Sequence, residues 1–175
     1  MFFFSSILDT NILFIQCYLL EKLSKGGPAI HSVRPPPAEG LYCQSSHYFL
    51  TSNPSSHMPR ARVRSIWSKP PSGWFKLNIN ASVTGHKAGG VGLIRDSEEH
   101  WVHGFARHIG STSVLMAELW ALRDGIHMAK NLHIHNLIIN VDSTKAIKLI
   151  SSPPNSDRLT QPLVNDCGDT LQVFN

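Results

Sequence analysis

The hydrophobic period of the chain changes twice between Trp74 and Val141, and the order of those changes restricts the fold more than any other feature. Trp74–Ile79 alternates, with Phe75, Leu77 and Ile79 on one face and Trp74, Lys76 and Asn78 on the other, which predicts a strand. A polar turn containing Gly85 leads to a second strand, Gly90–Arg95. The Asp96-Ser-Glu-Glu turn then reverses the chain into a third, Trp101–Ile109. Three strands joined by short polar turns make an antiparallel meander. The Gly89-Gly90-Val-Gly92 cluster lacks the Gly-x-Gly-x-x-Gly spacing and no helix follows it, so it predicts glycines in a strand rather than a phosphate-binding loop.

The period then lengthens. Ser111-Thr112-Ser113 supplies helix N-cap candidates, and Leu115, Leu119, Leu122, Ile126 and Ala129 form one apolar stripe of a helix running to about Asn131. Leu137–Val141 is an apolar run too short for a helix and predicts a buried strand. Asp142 and Ser143 open a second helix through about Ile150, and Leu159–Phe174 reads as a third, with Pro162 in its first turn. The order β-β-β-α-β-α-α predicts a mixed α/β sheet whose fourth strand lies parallel to the first.

Residues 1–65 differ in kind. They carry six of the eleven Pro and only three acids (Asp9, Glu21, Glu39), and about 24–65 reads as linker. The run Arg60-Ala-Arg62-Val-Arg64 is read as solvated linker in preference to a phosphate contact. Asp9, Asn11 and Gln16 interrupt the apolar opening, so it falls short of the ~20 apolar residues of a membrane span and lacks the basic start of a secretory signal. The domain division expected is therefore a poorly ordered extension over 1–65 and a folded domain over 66–175, in the nucleus or cytoplasm rather than secreted. Three scattered Cys without a C-x-x-C argue against a disulfide framework or zinc finger. A net charge of +4 is compatible with a polyanion partner without establishing one.

Helix geometry separates the acids. At ~100° per residue, Glu118 lies roughly 60° from the centre of the apolar stripe and Asp124 about 180° from it. Glu118 is thus placed at the sheet-facing margin and Asp124 toward water. Asp142 follows the buried strand at its C-terminal end, where α/β sheets commonly build sites, although an Asp there also caps a following helix. Asn80 occupies the corresponding place on the first strand. If those strands are parallel neighbours, Asn80, Asp142 and Glu118 converge, and oxygen ligands gathered in this way suit Mg²⁺. His133-x-His135 is read as polar surface, and Trp101 and Trp120 as packing residues.

Trp67-Ser-Lys-Pro-Pro-Ser-Gly-Trp-Phe-Lys-Leu-Asn78, Gly90-Val-Gly-Leu-Ile-Arg-Asp96, Gly104-Phe-Ala-Arg107, Ala117-Glu-Leu-Trp-Ala-Leu-Arg-Asp-Gly125, Val141-Asp142-Ser143 and Pro162-Leu-Val-Asn-Asp-Cys167 resemble, in order and spacing, the ribonuclease H domains of plants. Those domains are related to the type 1 ribonuclease H of reverse transcriptases and retroelements. The resemblance implies a ribonuclease H-like fold and two-metal hydrolysis, by a pair of Mg²⁺ ions, of the RNA strand of an RNA–DNA hybrid. Glu118 matches the family's helix Glu, and Asp142 the Asp that ends the fourth strand. Asn80 stands where the family carries its first Asp. The fourth acid belongs to a strand-plus-helix unit expected after residue 174; Asp166 and Asp169 come too early to replace it. The expectation is thus a C-terminally truncated domain with an open sheet edge and an incomplete metal site at Glu118, Asp142 and Asn80.

Two Mg²⁺ bring +4, whereas Glu118 and Asp142 supply −2 and the Asn80 amide none. The function expected is a nucleic-acid-binding ribonuclease H-like domain with weak or absent hydrolysis. Its partner is an RNA–DNA hybrid or RNA, with no membrane and no small-molecule substrate. The alternatives are a non-catalytic nucleic-acid-binding module and a non-functional retroelement-derived fragment.

Overall fold

The computed structural model describes residues 2–5, 68–151 and 158–174. The expected linker over 24–65 and its arginine run lie outside the described residues. Five strands and three helices are seen: β1 (Phe2–Ser5), β2 (Phe75–Thr84), β3 (Lys87–Arg95), β4 (Trp101–Gly110), α1 (Val114–Asn131), β5 (Leu137–Val141), α2 (Thr144–Ser151) and α3 (Gln161–Leu171), the last followed by a 3₁₀ turn at Gln172–Phe174.

The meander forms as the alternation requires. β2 pairs antiparallel with β3, and β3 with β4, while β5 lies parallel to β2 with Leu77 opposite Ile139 and Ile79 opposite Val141. The sheet order is β1-β5-β2-β3-β4. The turn into β4 is closed by Asp96, whose Oδ1 accepts from the backbone N–H groups of Glu98 and His100 at 2.9 Å each. Glu99 takes a positive φ of 71° there.

Helix α1 lies across one face of the sheet. Leu119, Leu122 and Ile126 are wholly buried, and Leu122 and Ile126 join Leu77, Ile79, Ile94, Leu137, Ile139 and Val141 in the main core. Leu119 instead meets Ala146, Leu163 and Val164, so the N-terminal half of the stripe seats α2 and α3. The helix approaches closely because of Gly90: a methyl group there would sit 2.8 Å from the Cβ of Ala121. The Gly89–Gly92 cluster lies in β3, as the sequence predicts, and Gly90 there serves packing. Ser113 caps α1, its hydroxyl accepting from the N–H of Met116 at 3.3 Å.

Two features depart from expectation. The edge of β5 is not open: Phe2–Ser5 pairs with it in parallel, Phe2 opposite Leu137 and Ser5 opposite Asn140. The first residues of the chain thus belong to the sheet, whatever the rest of the 1–65 stretch does. No periodicity rule could have found this strand, since four residues cannot show a period and its partner is distant in sequence.

Nor does Asp124 simply face water. It accepts from Arg107 Nη1 at 2.9 and 2.8 Å, and Arg123 reaches it at 3.3 Å. Arg107 also lies 4.5 Å above the Trp120 ring and Arg123 5.5 Å from it. On the other flank of α1, Arg123 Nε donates to Asp166, which also meets His127 at 3.3 Å. The helix is therefore pinned to β4 on one side and α3 on the other. Asp124→Ala is expected to destabilise the fold by about 1–3 kcal/mol, the range for a lost hydrogen bond to a charged group, read as a lower urea midpoint at unchanged slope.

Candidate metal and nucleic-acid site

Parallel pairing of β2 and β5 ends at the Ile79–Val141 rung. Beyond it β2 continues to Thr84, so Asn80 is mid-strand rather than terminal, yet it stands level with Asp142 past the end of β5. Strand alternation sets Ile79 and Val141 beneath α1 and turns Asn80 to the opposite side, while Asp142, past the end of β5, lies near enough to Glu118 for its charge to act on that carboxyl. One rung back on that side, Asn140 Nδ2 donates to Asn78 Oδ1 at 3.2 Å, a buried amide pair that ties the two strands together.

Glu118 reaches this sheet end from α1. The sequence places it at the margin of the apolar stripe; the structure buries it to 4% exposure. Its carboxylate accepts the backbone N–H of Ala81, which lies past the last β2–β5 rung. The Oε2 atom is buried without a hydrogen-bond partner. Burial, reinforced by the Asp142 charge and opposed by the Ala81 N–H, pushes the Glu118 carboxyl up to about 8. Asp142 stands at the exposed lip, and desolvation of its carboxylate raises it above the usual range too. The capping role open to Asp142 falls to its neighbour: the Ser143 hydroxyl accepts from the Ala146 N–H at 3.2 Å.

Two carboxylates that each resist ionising, one with an orphaned buried oxygen, form a donor set of the kind a hard divalent cation takes. Their −2 balances one such ion. Among the described residues no cluster of three or more His, Cys, Asp or Glu side chains could hold a metal. His133 and His135 are exposed, and the His133 ring donates to the Asn131 carbonyl at 3.1 Å. Asp166, paired with Arg123 and His127, and Asp169 take no part in the site. The Arg107–Asp124–Arg123 network escaped sequence reasoning because its partners sit on different elements with no local spacing to announce them. Among the described residues, no helix is long and apolar enough to cross a membrane.

The titration has a definite sign. The folded chain holds the Glu118 proton more tightly than the unfolded chain, where the carboxyl returns to its ordinary 4.5. Its contribution is therefore fully present below about pH 4.5 and is lost as pH rises toward 8. Asp96 and Asp166, both held low by their hydrogen-bond partners against the opposing effect of burial, give no slope in that window. Chemical unfolding in a chelator is expected to show stability falling between pH 5 and 8, and Glu118→Gln is expected to flatten that fall.

A three-strand meander, a helix laid over it, a parallel fourth strand and carboxylates at the shared strand end define a ribonuclease H-like domain. The sequence profile of the reverse transcriptase-like family matches residues 78–175, and the chain belongs to that family. A protein of Arabidopsis thaliana bearing a provisional ribonuclease H name is 28% identical over 116 residues, covering 65% of this chain and 19% of the relative. The chain thus spans about a fifth of that relative's length. Among solved structures, ribonuclease H1 of Halobacterium salinarum superposes with a TM-score of 0.54 at 15% identity, covering 59% of this chain and 80% of that one. The N-terminal ribonuclease H domain of a Mycobacterium tuberculosis protein gives 0.53 at 15% identity, over 57% and 75%. A ribonuclease H1 from compost (LC11), solved with an RNA/DNA hybrid, gives 0.51 at 13%, over 56% and 76%. These likenesses establish the fold.

Proposed function

We infer that the chain is a nucleic-acid-binding domain for RNA–DNA hybrid, and that Glu118, Asp142 and Asn80 form a reduced divalent-metal site with weak hydrolytic capacity. The observation that carries this reading is the buried Glu118 carboxylate, with Oε2 unpartnered beside Asp142, at the strand end of a ribonuclease H-like fold. The hybrid bound to the compost enzyme supports the choice of ligand.

Glu118 and Asp142 would hold Mg²⁺, and the Asn80 amide oxygen would add a neutral ligand. The ion, when bound, supplies Lewis-acid polarisation of a phosphate ester and a more acidic water. The chain's own part is positional. The Ala81 N–H orients Glu118, and Ser143 takes the capping of α2, while Asp142 stands exposed at the lip. Because Asn80 brings no charge, the set would balance one divalent cation and not two. This favours binding over turnover, so the non-catalytic module is the limiting form of the same reading.

The test is fluorescence anisotropy with a labelled hybrid across ionic strength, alongside a cleavage assay in Mg²⁺. Affinity is expected to fall at least about tenfold between 50 and 200 mM salt, as phosphate contacts require. Any cleavage is expected to vanish in Glu118→Gln. Binding indifferent to salt, or cleavage that survives Glu118→Gln, would overturn the reading.

A further inference from the structure

Among the described residues, strand β1 has one neighbour, β5, and that ladder is four residues long. Without it, β5 would turn a row of unpaired N–H and C=O groups outward, the arrangement that recruits strands from other chains. About seventy residues separate Ser5 from Phe75, so connectivity does not dictate which molecule supplies the strand. We propose that the outer edge of β5 is a strand-acceptor surface, and that Phe2–Ser5 of a second copy of this chain occupies it in exchange for the chain's own, giving a two-fold, strand-swapped dimer.

The exchange conserves contacts. Each β5 holds one β1 in the dimer as in the monomer, so the ladder bonds per chain are unchanged. Loop closure within one molecule is then weighed against association of two. A second copy competes better as protein concentration rises, because only the exchanged form is bimolecular. Release is easy, since parallel pairing is slightly weaker per residue than antiparallel and four residues is near the short limit for a strand. The donor sequence Phe2-Phe3-Phe4-Ser5 carries neither charge nor Pro, the features that normally keep an edge strand from pairing elsewhere.

Phe3 and Ile138 are partners in register. Two variants, Phe3→Cys and Ile138→Cys, each with Cys17→Ser and Cys43→Ser, are mixed under mild oxidation. Cys167 is kept, because burial pushes its thiol up to about 12 and leaves it unreactive. A disulfide between the two variants requires β1 of one chain on β5 of the other. Its yield is expected to rise about tenfold for each tenfold in concentration below saturation. Adding Phe4→Pro and Ser5→Pro to the donor removes two successive N–H groups, one of which must face β5, and is expected to abolish it.

The double variant Phe3→Cys/Ile138→Cys is expected to close within one chain when dilute. Closure there with no mixed dimer near 1 mM would overturn the proposal, as would a mixed dimer that survives the two prolines or no disulfide in either arrangement. Sedimentation of the cysteine-unmodified chain gives an independent reading. A concentration-dependent dimer lost on deletion of residues 2–5 supports the exchange; its absence near 1 mM, or its persistence after the deletion, overturns it.

Discussion

Asn80→Asp is expected to raise Mg²⁺-dependent hydrolysis of the RNA strand of a hybrid by about 10²–10³-fold over the parent chain, because metal-ligating residues act as a unit and restoring one recovers much of the set's effect. The variant keeps the shape of the side chain and adds one negative charge level with Asp142 past the last β2–β5 rung. The same change has an opposite effect on the metal-free protein. A third carboxylate beside Glu118 and Asp142, both already pushed upward, adds like-charge repulsion, so the variant is expected to melt lower in chelator. Millimolar Mg²⁺ is expected to reverse that loss through binding linkage. Calorimetry with and without Mg²⁺, run beside single-turnover cleavage, checks both halves. A variant that melts like the parent in chelator would place position 80 too far from the other two side chains to share an ion.

The largest effect on stability is expected at Leu122. Its side chain is wholly buried where α1 meets the sheet, and α1 is also the element that carries Glu118. Leu122→Ala removes that volume from a site walled by strands that cannot collapse inward, so the expected loss is about 2–5 kcal/mol. For a domain of this size that corresponds to a fall in melting temperature on the order of 10–20 °C. Because Glu118 is four residues away on the same helix, Mg²⁺-dependent stabilisation is expected to shrink in the variant as well. A loss below about 1 kcal/mol would mean that α1 packs less tightly than Gly90 and Ala121 imply.

Most of the sheet was legible in the sequence because apolar and polar residues alternate along Trp74–Ile79 and because Leu137–Val141 is a short, continuous apolar run. Phe75, Leu77 and Ile79 declared their face, and Leu115 to Ala129 declared theirs. Glu118 was legible as a candidate from its place at the sheet-facing margin of the apolar stripe, and Asp142 from its place just past the C-terminal end of a buried strand. The depth of Glu118 was not, since a helical wheel gives an angle and not the height of the neighbours that cover it. The Arg107–Asp124 and Arg123–Asp166 pairs were hidden for a related reason: each joins residues from two elements whose relative placement only the packed structure sets. Strand β1 was the least legible of all, being fixed by its partner and not by its own sequence.

That partner comes late. During synthesis β1 leaves the ribosome about 135 residues ahead of β5, and at ~5–20 residues per second the interval is on the order of ten seconds. Through that time the Phe2-Phe3-Phe4 run waits with no sheet to join, so chaperone access and translation speed would decide how often the nascent chain finds its own edge first.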